Sequence, residues 1–343
     1  MTLSTLPTRI VDARELDDFM TTPSAELVRN LSSVDGDLMI LGVGGKMGPT
    51  LARMAKRAAP GKRVIGVARF TDPYVRERLQ AWGIECLTAD LLDRSAIDGL
   101  PQVRNVIFMA GQKFGASSHP HTTWAMNVAV PYVVADTFRD SRIIAFSTAC
   151  VYPFVDVKGP GASEPTPTQP PAGDYALSCV GREQMFLFGS HRYGTPGRLV
   201  RLSYAIDLRY GVLHDVATAV FEGHSLDVSM GYVNVIWQGD ANELALRLLA
   251  HCTVPTTAIN LSGPKVSVRW LAEQFGRRFS KMPQLTGEEA ETAWLVDTTA
   301  QQQLFGTPRV PSDLMIDWVA DWIARGQPSL GKKTHFQTRD GNY

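Results

Sequence analysis

The residues with the plainest chemical meaning are glycines. Gly42, Gly45 and Gly48 recur every third position in the stretch Asp37-Leu-Met-Ile-Leu-Gly-Val-Gly-Gly-Lys-Met-Gly-Pro-Thr50, with Gly44 between the first two. A turn so stripped of side chains lets backbone N–H groups close on a phosphate. The chemistry expected is therefore dinucleotide binding by Gly42, Gly44, Gly45, Lys46, Met47 and Gly48. The register is G-x-x-G-x-x-G, because Met47 occupies the third-glycine place of G-x-G-x-x-G. The plain alternative is a glycine-rich loop that only packs a helix on a strand.

A second residue would choose between dinucleotides. The ribose-recognising acid of an NAD site sits about 20 residues past the glycines, at the end of the second strand. Here that position reads Ala68-Arg69. Loss of the acid removes repulsion toward a 2′-phosphate, and the Arg69 guanidinium can grip one. NADP is favoured over NAD.

These residues need a frame. Leu38 to Leu41 read as a buried strand, and a helix opening at Pro49 keeps Leu51, Met54, Ala55 and Ala58 on one face before Pro60-Gly61 ends it. Strands are expected at 63–67, 84–87, 104–109, 143–152 and 197–202, and helices at 73–82, 122–138 and from Asp174 onward. That alternation predicts an α/β fold, a Rossmann-like doubly wound parallel sheet over residues 37–205. Residues 1–36 read as a helical extension, and the Pro- and Gly-rich stretch 153–173 as a loop over the site. Residues 206–330 read mainly as a smaller α/β substrate-binding lobe. Its strands near 232–237 and 257–261 have the option of returning to the Rossmann side. Residues 331–343 form a polar tail, expected to lie loose.

Composition narrows the class. The 343 residues carry 34 basic and 34 acidic side chains and no basic tract, so neither nucleic acid nor a membrane surface is expected as a partner. The N-terminal stretch has no signal-peptide pattern and no apolar run is long enough to span a bilayer. Cys86, Cys150, Cys179 and Cys252 lie far apart, without metal-ligand spacing. His119 and His121 lack a third ligand, so no metal is expected. A reducing, cytoplasmic location is expected.

From about Leu38 to Gly326 the chain resembles the extended short-chain dehydrogenase/reductase family, which includes sugar epimerases and dehydratases. The glycine register, Asp90-Leu91, Ala110-Gly111-x-Lys113, Asn127, Ser147-Thr148-Ala-Cys-Val-Tyr152, Asn260-Leu-Ser-Gly263, and Asp297 with Leu304-Phe-Gly306 carry the resemblance, together with Tyr175, 27 residues beyond Thr148. It implies hydride transfer at a secondary alcohol, with Tyr175 as general acid/base and Thr148 bonded to the same substrate oxygen. Asp90, Leu91, Ala110, Gly111, Lys113, Asn127, Tyr175 and Ser203 would meet the cofactor. Gln112, Thr148, Cys150 and Tyr204 would meet the substrate, with Phe154 a further candidate. The helices 122–138 and 175–193 would pair with a second copy as a four-helix bundle, through Ala125, Val128, Val133, Phe138, Met185, Phe186 and Phe188.

The chain departs from the family at a decisive place. Cys179 stands where a lysine would lower the phenol's pKa from about 10. Three readings stay open: another cation, Lys113 or Arg182, replaces it; Tyr175 works unassisted; or the protein binds nucleotide without turnover. Cys179 itself would be a reactive thiol or a packed small residue. Tyr204 and the stretch Gly231-Tyr-Val-Asn-Val235 lack the asparagine and arginine of nucleotide-sugar sites. The expected substrate is therefore a free sugar, sugar acid or lactone. A nucleotide sugar is the alternative.

Overall fold

In the computed structural model, which describes residues 6–171 and 173–341, seven parallel strands form the central sheet. In spatial order they are Thr257–Leu261, Gly197–Leu202, Arg142–Thr148, Asn105–Phe108, Leu38–Leu41, Val64–Ala68 and Glu85–Thr88. Leu38–Leu41 and Asn105–Phe108 are wholly buried, as strands covered by helices on both faces must be. Chain order reverses between these two neighbours, so their carboxyl ends open a crevice where α/β proteins seat ligands. The fold is Rossmann-like, doubly wound α/β.

Apolar layers cover both faces of the sheet. One gathers Leu51, Ala55, Leu244 and Leu248 and the other Val134, Phe138 and Phe186. A third core, built on Val216, Leu271, Phe275, Met315 and Trp318, holds together the helices Val212–Glu222, Val268–Phe279 and Ser312–Ala324. Phe138 and Phe186 are thus occupied within their own subunit, contrary to their expected part in a dimer face.

The N-terminal helix Ala13–Met20 lies against both halves. Its Asp17 meets Arg78 of the Rossmann half at 2.5 Å and Arg209 of the other half at 3.1 Å. Phe19 packs on Trp237 and Trp318, with ring centroids 6.0 and 5.4 Å away. Arg325 donates to the carbonyls of Ile10 and Val11.

Three expectations need correction. The helix expected at 122–138 begins at Pro120 and contains a π turn, Ala125–Ala129, before resuming as Val130–Thr137. Pro131 has no N–H for the helical bond back to Asn127, and the wider turn accommodates that loss. The strand expected at 143–152 stops at Thr148, whose hydroxyl accepts from Cys150 N (3.2 Å) and starts a 3-10 turn. The tail is not loose over its described part. Asp215 accepts from Thr334 N and Oγ1, at 2.8 and 2.6 Å, and Thr334 and Phe336 are buried.

Candidate active site

The glycine turn is shaped by close approach. Gly42 has φ +87°, and a Cβ there would sit 2.6 Å from Ala110 N. A Cβ on Gly48 would meet Val43 O at 2.3 Å. Only glycine fits either position. Gly44 and Gly45 are exposed instead, leaving bare backbone between two cavities that both touch Gly42 and Gly45. The first, about 260 Å³, is lined by Arg69, Asp90, Leu91, Ala110 and Gly111. The second, about 300 Å³, is lined by Lys46, Met47, Lys113, Thr148, Cys150, Tyr175, Ser203 and Tyr204. Together they make a trough across the helix N-terminus with an adenosine-sized recess at one end, which fits a dinucleotide. Ser203 Oγ supports that fit, being buried in the second cavity's wall without a hydrogen-bond partner among the described residues.

The helix Asp174–Tyr193 brings Tyr175 to the second cavity opposite Thr148. Burial pushes the Tyr175 phenol well above its usual range, while Arg182's charge and a hydrogen bond with Thr148 oppose that rise. Cys179 lies one turn on, fully buried among Ala149, Val151, Tyr152, Ala162 and Val296. Burial pushes its thiol up to about 11, so its setting is that of a packed small residue rather than a reactive thiolate.

The two candidate replacement cations stand differently. Arg182 is buried behind the tyrosine, donating to Asn127 Oδ1 (2.6 Å) and Phe146 O (2.9 Å). Lys113 Nζ lies in the cavity, 5.7 Å from the Tyr175 ring centroid and 3.3 Å from Thr334 O. Burial lowers its pKa.

Asn127 and Gln112 line neither cavity. Asn127, the buried residue of the π turn, accepts from Gln112 N (2.9 Å) and donates to Gln112 O (3.0 Å) and Ser178 Oγ (2.9 Å). It thereby fixes the loop that carries Gly111 and Lys113. Phe154 also stands off the cavity, its ring tilted 47° against Trp294 with centroids 4.5 Å apart. Tyr204 lines it with φ +29°, a conformation L residues rarely adopt, of the kind that clusters at functional sites.

A buried network under the site was not anticipated. Arg201 pairs with Glu183 at 2.7 Å and donates to Tyr152 Oη (2.7 Å), which in turn donates to Asn260 Oδ1 (2.8 Å). Ser147 Oγ donates to Glu183 Oε1 at 2.6 Å. The available signal was a pair of arginines, Arg198 and Arg201, inside the otherwise apolar strand Gly197–Leu202.

Residues 38–206 match the model of the NAD dependent epimerase/dehydratase family. No curated relative matches the chain. Among solved structures, a UDP-galactose 4-epimerase superposes with TM-score 0.67 at 20% identity, covering 84% of this chain and 99% of its own. The Thermotoga maritima UDP-glucose 4-epimerase, solved with UDP-glucose, gives 0.70 at 16%, covering 84% and 99%. The Bacillus anthracis dTDP-glucose 4,6-dehydratase, in complex with NAD, gives 0.72 at 14%, covering 84% and 96%. These likenesses concern the fold. Through residues 38–206, with their glycine turn and parallel sheet, the chain belongs to the NAD dependent epimerase/dehydratase family.

Proposed function

We propose that the protein is an NAD(P)-dependent oxidoreductase or epimerase acting on a secondary alcohol of a small, sugar-like substrate. The observation that carries this reading is the pairing of Thr148 with Tyr175 on the wall of the second cavity, at the end of the trough. When bound, the nicotinamide would supply the hydride acceptor or donor. Tyr175 would take or return the hydroxyl proton, and Thr148 would orient the same oxygen. Arg182 supplies positive charge from behind, through space. Among the described residues the second cavity's lining includes no arginine, the usual bidentate partner of a diphosphate, which supports a free sugar, sugar acid or lactone over a nucleotide sugar. The test is a panel of such compounds with NADP or NAD, followed by absorbance of the reduced nicotinamide. Turnover of UDP- or dTDP-sugars alone would overturn the substrate class. Nucleotide binding without turnover is the rival reading, favoured by the packed thiol at Cys179.

The preference for NADP rests on Arg69, exposed at the rim of the first cavity beside Phe70 and Thr71. Arg69→Ala should weaken NADP binding by about ten- to a hundredfold, the worth of one charge-assisted contact, and change NAD binding little. Titration of both dinucleotides checks this, and equal losses for the two would sink it.

The assembly we propose is a homodimer through a four-helix bundle. Trp124 (40% exposed) and Tyr132 (41%) on one helical segment and Leu177 (44%) and Phe188 (42%) on the Asp174–Tyr193 helix form its apolar face. Phe188→Glu should convert a dimer to a monomer by light scattering; an unchanged mass would exclude this face. The location we propose is cytoplasmic. Among the described residues no helix is long and apolar enough to cross a membrane.

A further inference from the structure

The C-terminal segment supplies part of the second cavity's wall. Thr334 lines that cavity, while its neighbours Lys332, Lys333, Phe336 and Gln337 line another, of about 500 Å³, on the segment's far side. Asp215, in the first turn of Val212–Glu222, lines the far cavity. One of its carboxylate oxygens accepts from both Thr334 N (2.8 Å) and Thr334 Oγ1 (2.6 Å). At this point the two spaces are parted by one stretch of chain and one latch.

The segment is anchored on either side of that latch. Leu330 N donates to Arg209 O at 3.0 Å, and Phe336 is sunk in the core around Val216, Leu271 and Trp318. Beyond Phe336, Arg339 donates to Thr292 O (2.7 Å) and Thr292 Oγ1 (2.9 Å), with its guanidinium 4.1 Å from the Phe154 ring centroid. Between Leu330 and Phe336 the chain is bowed by Gly331 (φ +62°) and His335 (φ +53°). His335 holds a left-handed conformation that residues other than glycine adopt rarely. Lys113 Nζ meets the bow at Thr334 O (3.3 Å), and the Phe114 ring meets it at His335, centroids 5.9 Å apart. The Asp215 bonds are the shortest of these contacts, and both are charge-assisted.

We propose that residues 331–335 are a flap over the substrate cavity, held shut by the Asp215–Thr334 latch, and that the shut flap confines the substrate to a single sugar ring. The size limit rests on the hydride-transfer reading, because about 300 Å³ must then seat the nicotinamide and the substrate together. The flap does not depend on that reading. When it opens between its anchors, the two cavities join where Thr334 stood, and a longer molecule gains room.

Cys150, on the wall of the second cavity, reports access to it. The experiment is thiol labelling of the full chain with methyl methanethiosulfonate and with fluorescein maleimide, read at each cysteine by peptide mapping. Wild-type Cys150 is expected to exclude the large reagent. In Asp215→Ala that reagent should react about tenfold or more faster, the worth of one charge-assisted contact. Thr334→Val loses one of the two bonds and should fall between. Asp215→Asn keeps an oxygen that accepts both bonds and should label as the wild type does, which separates the latch from the charge. Fully buried Cys179 should stay unlabelled throughout. Equal reaction of Cys150 with the large reagent in wild type and Asp215→Ala, fast or absent in both, would overturn the flap. So would Cys179 reacting in step with Cys150 in both Asp215→Ala and Thr334→Val, since the motion would then be unfolding. The size limit is read from nicotinamide reduction by galactose, glucose and gluconate against lactose, cellobiose and lactobionate. Asp215→Ala should raise the disaccharide-to-monosaccharide ratio of kcat/KM about tenfold or more. Wild-type turnover of disaccharides as good as of monosaccharides would overturn the size limit and leave hydride transfer standing. No turnover of any of the six in either protein would sink the hydride-transfer reading and the size limit with it, while the labelling result still decides the flap.

Discussion

Tyr175→Phe is expected to lower turnover by about 10²- to 10⁴-fold, the usual contribution of a positioned general acid or base. The substitution removes one hydroxyl and keeps the ring that lines the cavity, so dinucleotide binding should survive it and isolate the chemical step. The pH profile carries further information. Burial holds the phenol above its ordinary range, and no lysine follows one helical turn on. Alcohol oxidation needs the phenolate, so its rate should still be rising with pH on the alkaline side of neutrality. Nicotinamide absorbance measured across pH for both proteins checks the two expectations together. A Tyr175→Phe protein with undiminished turnover would return the site to the binding-only reading.

The largest stability effect is expected beneath the site. Glu183 and Arg201 are 2% and 8% exposed at their side chains and hold each other at 2.7 Å. Glu183→Leu leaves the guanidinium buried without its counterion, at a cost of about 3–5 kcal/mol. That is a large share of the roughly 5–15 kcal/mol by which a folded domain is stable. The double replacement Glu183→Leu with Arg201→Met should recover much of the loss, because no charge is then stranded. Denaturant melts of the two single variants and the double variant give the cycle. A double variant as unstable as the sum of its parents would show that packing, rather than stranded charge, sets the cost.

The glycine turn and the strand–helix alternation were legible because each rests on local pattern, whereas Thr148 and Tyr175 were singled out through the family resemblance. Glycines recur where backbones touch, and an apolar run with a helix after it builds half of a crossover by itself. Thr257–Leu261 was legible as a strand, but not its place beside Gly197–Leu202, which depends on contacts across some sixty residues of chain. The π turn at Ala125–Ala129 escaped notice because helical periodicity does not register one extra residue per turn. Lys46 was legible as a turn residue. Its aim toward Ala205 and Tyr210 was not, since a long flexible side chain follows its surroundings rather than its neighbours in sequence. The tail was misjudged for a related reason. Its composition is polar, yet Thr334 is fixed by Asp215, more than a hundred residues away, and Phe336 joins the core beneath the helices Val212–Glu222, Val268–Phe279 and Ser312–Ala324.

The helix Ala13–Met20 was read as an appendage without chemistry, and its side chains do none. Asp17 nevertheless joins Arg78 to Arg209, and Phe19 is wedged against Trp237 and Trp318. Phe19, Trp237 and Trp318 share one core and would move together, so a hinge opening of the two halves would have to break the Asp17–Arg78 arm of the bridge. The extension is a strut: it makes gaping of the whole cleft the expensive route of entry. The shorter route is to lift Thr334 from Asp215, which leaves the strut untouched.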